Sequence, residues 1–309
     1  MTASDTPLAR PSPSSEPLPL APPPSADTLP RGPSFGRRLL RNRAGAIGLA
    51  LVGLFLVTAL VSLVWTPYPY LETHPRDRLQ GPSAKYWMGT DDQGRDILSR
   101  VMRGANTSLR VALLAVSLAA MVGVVLGLIS GYWGGWADQL TMRGMDIIFS
   151  FPSILLALGI VAALGTGWVK TSIAIAIVYI PIFARVTRGP VLSVKETEYV
   201  TAATAVGVGT PRLLGGHILP NITAPVIVQV TLALSWAILT EAALSFVGLG
   251  TQLPEPSWGN MLNESRRLLE FNPWMAVFPG LAIMLAVLGF NLLGDALRDL
   301  LDPRLRGAR

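Results

Sequence analysis

Residues 198–221, EYVTAATAVGVGTPRLLGGHILPN, lie between two apolar segments of membrane length, and the rest of the chain is read outward from them. Tyr199, Ala202, Ala203 and Val206 recur at helical spacing. The spacing predicts a helix whose narrow face carries one aromatic and otherwise small side chains, so that another surface can approach closely. Upstream, Ser193 and Glu196 read as an S-x-x-E capping box that starts this helix by satisfying free N–H groups. Gly207 and Gly209 end it, and Pro211 is placed to begin a second. A polar-edged helix and loop between apolar spans has the form of a socket for a soluble partner.

Half of the residues are hydrophobic and only 14% are charged, with the apolar material blocked into long runs, which points away from a water-soluble globule. A hydrocarbon core of about 30 Å needs roughly 20 apolar residues per helix. Six segments meet or approach that length: Ala44–Trp65, Val111–Ser130, Ile147–Leu164, Thr171–Ala184, Ile222–Val247 and Pro273–Gly294. The fourth is thin and is expected to begin near Trp168, with Lys170 reaching back to the surface. The fold class is therefore an all-α polytopic membrane protein with six transmembrane helices. There is no cysteine, which excludes disulfides and thiolate sites, and His74 and His217 are too far apart in sequence to suggest a metal cluster. The net charge of +6 sits beside hydrophobic spans without an aromatic platform, so nucleic acid is not an expected partner. Basic residues at both ends, Arg31–Arg43 and Arg298–Arg309, orient both termini toward the cytoplasm by the positive-inside rule.

The expected organisation runs from a Pro-rich disordered cytoplasmic tail (1–33) to a basic entry and first span (34–65). An extracytoplasmic loop (66–110) leads to a core of five spans (111–302) containing the 193–221 loop, and a short tail (303–309) follows. The tail is too long and Pro-rich for a signal peptide. Gly123, Gly127 and Gly131 share one face and are read as internal close packing, while Pro181, Pro225 and Pro279 are read as static bends. Asp91, Asp92, Gly94, Arg95 and Asp96 lack the later ligands of a calcium loop, and a loop-to-helix cap with local ion pairs is favoured. Asp146 and Asp295 are expected to cap helices or pair with Arg143 and Arg298. Trp65, Trp168, Trp258 and Trp274 are assigned to an aromatic belt. Glu241 is the one carboxylate well inside a span. It is a candidate for the translocation path or an outer gate, the alternative being a packing ion pair or a hydrogen-bonded carboxyl.

The 198–221 stretch resembles the EAA loop in permeases of ABC importers, with Ala202, Ala203, Gly207, Leu219 and Pro220 in register. Thr201 stands where the general pattern has Glu, and His217 where it has Ile. The variant Tyr-Val-x-Ala-Ala with a later His-Ile-Leu-Pro-Asn, and the run from Met88 to Arg100, are similar to C-type subunits serving dipeptides, oligopeptides and nickel. The resemblance implies a type I ABC importer permease fold in a bacterial or archaeal cytoplasmic membrane. It also implies a heterodimer with a second permease, two ATP-binding subunits and an extracytoplasmic solute-binding protein. Tyr199, Ala202, Ala203, Gly207, His217 and Pro220 are the residues to which it assigns coupling to the ATPase. No Gly-Lys pair occurs, so there is no Walker A loop. ATP and Mg are expected on the partner subunits, with no cofactor, metal or catalytic residue on this chain. The expected cargo is a dipeptide or oligopeptide, with nickel, glutathione or another small solute as alternatives. A gradient-driven secondary transporter is the remoter reading, and it calls for several intramembrane charges or paired interrupted helices.

Overall fold

A computed structural model describes residues 35–301. The tails expected at 1–33 and 303–309 lie outside the described residues. The elements are α1 (Phe35–Arg41), α2 (Arg43–Val61), α3 (Ile97–Trp133), α4 (Gly135–Phe149), α5 (Ser153–Leu164) and α6 (Trp168–Val194). They continue as α7 (Glu198–Ala205), α8 (Thr210–Leu213), α9 (Leu219–Phe246), α10 (Trp258–Ser265) and α11 (Trp274–Leu301). No strand occurs among the described residues beyond one isolated bridge between Thr90 and Asp96. Five helices are long and apolar enough to cross a membrane, and the count is six if the bent pair α4 and α5 is taken as one span.

Three spans differ from their sequence reading. The 37-residue α3 begins at Ile97, inside the stretch expected to be loop, because the Asp96 side chain caps it by accepting from the Ser99 N–H at 2.8 Å. At 1.5 Å per residue it is about 55 Å long, well beyond a hydrocarbon core of about 30 Å, so a substantial length projects past the hydrocarbon. The third span, expected as one helix over Ile147–Leu164, is broken after Phe149, and its halves meet at 89°. Pro152 has no N–H to continue the helical ladder, which accounts for the break.

The thin fourth span is the 27-residue α6, and 56% of its apolar window is buried inside the chain, against 28% for α2. Thr171, Ser172 and Thr187 are tolerated there because they face protein rather than lipid. The glycine face of α3 packs on α6, as expected: a Cβ on Gly127 would stand 2.5 Å from the Ala184 carbonyl oxygen, and one on Gly123 2.5 Å from the Phe183 Cβ. Only glycine lets these backbones come so close. Around this pair, α2 and α11 pack together, and Phe55 joins Trp258 and Phe290 at ring-centroid distances of 5.5 and 6.0 Å.

Candidate functional site

The segment between α6 and α9 forms a short arm at the end of α3 opposite Ile97. Ser193 lies within the last turn of α6, so the predicted capping box does not form. The helix continues through Val191, which is buried in a small cluster with Val200, Leu213, Ile218 and Ile222. Thr197 takes the N-cap position of α7 instead, with its hydroxyl turned back to the Val194 carbonyl at 2.6 Å. Val200 thereby pins α7 inward, while Tyr199 (44% exposed), Ala202 and Val206 (81% exposed) face outward. Ala203, grouped with them by spacing, is half-buried against the cluster.

Two backbone bonds close α7: Val208 N–H to the Ala203 carbonyl at 3.1 Å and Gly207 N–H to the Thr204 carbonyl at 3.0 Å. This is the Schellman arrangement, and Gly207 occupies its left-handed position with φ +82°. Space around Gly207 is open, so its identity is set by the backbone angle and not by crowding.

Pro211 starts α8 in its first turn, after Gly209 in extended conformation. The chain then makes a π-helical turn over Leu214–Ile218 and runs into α9. In a regular α-helix the Pro220 ring would press on the carbonyl of Gly216, and the wider turn relieves that contact. Asn221 donates from Nδ2 to the His217 carbonyl at 2.7 Å, satisfying a backbone acceptor near the irregular turn. His217, Pro220 and Asn221 thus form one local solution to the entry of α9. His217 is half-buried and contributes its backbone carbonyl.

Glu241 lies toward the far end of α9. Its carboxylate is fully buried and accepts hydrogen bonds from Ser245 Oγ at 2.7 Å and Ser108 Oγ at 3.1 Å. Ser245 Oγ in turn accepts from the Thr251 N–H at 3.2 Å. Glu241 has no exposed surface in this chain, and its immediate surroundings are those of a hydrogen-bonded, packed carboxyl. Sequence reasoning missed Ser108 and Ser245; the second, one helical turn away, was detectable from its spacing.

Past Glu241, around the N-terminal end of α3, polar groups are densely knitted. Asp91 Oδ2 accepts from Arg95 Nε at 2.6 Å and from Arg100 Nη1, and Glu264 of α10 accepts from Arg100 Nη1 at 2.8 Å. The Asp91 Oδ1 accepts from the N–H groups of Gln93 and Arg95 at 2.8 and 2.9 Å. Asp91, Asp92 and Glu264 bring carboxylate oxygens within 4.8 Å of one another, but the Arg95 and Arg100 guanidinium groups stand among them where a cation would sit. The arrangement is the cap with ion pairs, extended by Glu264, which spacing could not reveal. Burial, reinforced by the neighbouring Asp91 charge, pushes the Asp92 carboxyl above its ordinary value.

Two further assignments change. Trp258 is buried and donates from its indole N–H to the Val101 carbonyl at 2.9 Å, so it anchors α10 to α3 and does not belong to an interfacial belt. Asp146 pairs with Arg185 of α6 at 2.6 Å, not with Arg143, because α4 and α6 pack side by side.

The profile of the binding-protein-dependent transport system inner membrane component matches residues 123–307, and that of the N-terminal TM domain of oligopeptide transport permease C matches 34–82. The dipeptide transport system permease protein DppC of Alkalihalophilus pseudofirmus is 50% identical over 270 residues, 87% of this chain and 89% of that protein. The glutathione transport system permease protein GsiD of Pectobacterium atrosepticum is 43% identical over 277 residues, 88% of this chain and 91% of that protein. GsiD of Escherichia coli O1:K1 is 43% identical over 274 residues, covering 88% and 90%. With its helical bundle, its Ala-Ala…Gly arm and these matches, the chain belongs to the family of binding-protein-dependent transport system inner membrane components and is a multi-pass permease subunit of the ABC importer class.

Proposed function

We propose that this permease subunit carries short peptides across the cytoplasmic membrane, driven by separate ATP-binding subunits that grip α7. The single observation that carries the coupling role is the division of α7 into two faces. Val200 fastens it to the chain, while Tyr199, Ala202 and Val206 remain uncovered on a helix closed by Gly207. An exposed face carrying Tyr199, Ala202 and Val206 on a short helix fits a cleft in a partner. Ala203, Gly207, His217 and Pro220 act behind that face, by shaping the arm and its junction with α9. ATP and Mg reside on the partners, since the chain has no Walker A loop.

Alternating access follows if nucleotide stabilises one arrangement of the ATPase pair over the other and α7 moves with it. A second permease completes the path, and an extracytoplasmic binding protein delivers solute. Short peptides are the proposed cargo because the relatives cited above are named for dipeptide and glutathione transport. Both termini face the cytoplasm on the strength of the basic ends.

Copurification tests the coupling. The wild-type chain is expected to retain an ATPase, and Val206→Asp to lose it while keeping the fold; retention by that variant would refute the assignment. Sidedness is tested with Tyr199→Cys, the parent chain having no cysteine. Labelling from the cytoplasmic side is expected, and labelling from outside would overturn the scheme. For cargo, uptake of labelled dipeptides by the reconstituted importer is expected; uptake of glutathione in their place would narrow the short-peptide class to that tripeptide, and uptake of nickel in place of both would reassign it.

A further inference from the structure

The chain must cross the membrane between α3 and α6, yet α4 contributes little to that crossing. Gly131, near the end of α3, packs against Val191 near the end of α6, whereas Gly167, at the start of α6, donates its N–H to the Gly250 carbonyl beyond the far end of α9. The segment from Gly134 to Gly167 therefore joins opposite ends of the bundle. The 12-residue α5 covers about 18 Å of that distance. The 15-residue α4 stands at 89° to it.

Side chains on α4 divide to match. Asp138 accepts from Arg188 through both carboxylate oxygens, each at 2.6 Å, and Asp146 accepts from Arg185 at 2.6 Å, so its acids are engaged with α6. Met145 is its buried residue. Trp136, Leu140, Arg143 and Ile147, spaced four, three and four apart, form one exposed face, with Trp133 just before it.

We propose that α4 is an in-plane helix seated at the headgroup–acyl boundary of the bilayer, on the side of the membrane where α7 projects, with lipid as the partner of its outer face. The right angle to a membrane-crossing helix sets its direction. The composition of the face sets its depth: exposed tryptophans and aliphatic side chains suit the boundary, and Arg143, the one charge on that face, complements lipid phosphate. Gly134 and Gly135, at φ +63° and +50°, make the corner from α3 that a right-angled course requires.

Spin labels at Leu140→Cys, Ile147→Cys, Trp136→Cys and Arg143→Cys in the assembled importer, reconstituted in phospholipid nanodiscs, test the assignment. Their depths are read from the ratio of collision rates with oxygen and with a water-soluble nickel chelate. An in-plane helix places all four within about 5 Å of one depth, whereas a helix along the membrane normal spreads them over about 16 Å. Labels at Leu155→Cys and Leu164→Cys on α5 are expected to differ by about 13 Å and calibrate the scale. A depth gradient along α4 would overturn the proposal. So would shielding of the four labels from both reagents, because a protein such as the second permease would then cover the face.

Discussion

The two ends of the bundle are built on opposite terms. Around the N-terminal end of α3, buried charges, an indole anchor and backbone caps tie residues far apart in sequence. Arg100 reaches Glu264, Trp258 reaches Val101, and Asn272 donates to the carbonyls of Gln80 and Thr90 at 3.2 and 2.9 Å. Around α7 the arm is attached by a five-residue apolar cluster and leaves one face of its helix bare. The first design resists deformation because moving any strand of the knit exposes an unpaired buried charge. The second permits a short helix to be displaced while the spans behind it stay packed. Under the proposed coupling, a permease that moves α7 on one side and holds its loops in register on the other has use for both.

The largest expected effect breaks the rigid end. Arg100→Leu leaves the buried Asp91 and the half-buried Glu264 with one guanidinium fewer, and the loss of stability should be about 3–5 kcal/mol, read as thermal unfolding of the purified complex. If unfolding is unchanged, the knit is not what holds that end. At the α7 end, Gly207→Val forces a branched side chain into a left-handed backbone at a local cost of about 1–2 kcal/mol. The expected outcome is an unchanged unfolding profile for the bundle together with loss of ATPase retention, which separates the two ends most sharply. Glu241→Gln keeps the shape of the buried group but weakens its bonds to Ser108 and Ser245, with an expected loss of about 1 kcal/mol and normal peptide uptake per folded complex. Abolished uptake in a stable variant would place Glu241 on the translocation path.

The smallest effect is a pH dependence within the rigid end. Hydrogen bonds from the Lys85 ammonium, at 2.6 Å, and then from the Tyr86 hydroxyl, at 2.9 Å, hold the Asp77 carboxyl below its ordinary value of 3.8. A depressed acid stabilises the folded loop above its unfolded value, and that contribution fades as pH falls from 3.8 through the lower folded value. Hydrogen exchange over residues 77–90 is expected to quicken across that acidic window in the parent chain. In Asp77→Asn this acid-dependent change should disappear.

Several of these features were legible in the residues themselves. Membrane-length apolar runs placed the spans, and small residues at four-residue spacing on α3 announced close packing. Gly207 followed by Gly209 and Pro211 marked a helix end and a restart, since such punctuation acts through the local backbone. The capping box misled because Ser193 and Glu196 have the right spacing, while burial of Val191 and Val194 against the arm carries α6 past the expected start. Trp258 misled for a similar reason: an indole near a predicted interface suits a belt or an anchor equally, and Val101 decides between them. The sequence reading passed over Pro152, the local cause of the break in the third span, and no local pattern specifies a right angle.

By itself the sequence determined that this is a membrane-spanning helical chain with a small-residue arm, no phosphate-cradling loop, and glycine where a left-handed turn closes α7. These are properties of composition, period and single backbone angles. Tertiary structure alone decided that Glu241 is enclosed by serines, that Glu264 completes the Asp91 network, that the polar fourth span is the buried one, and that α4 turns sideways against α6. Each of those outcomes depends on which surfaces meet across the bundle, and helical periodicity reports a residue's face without naming what lies opposite it.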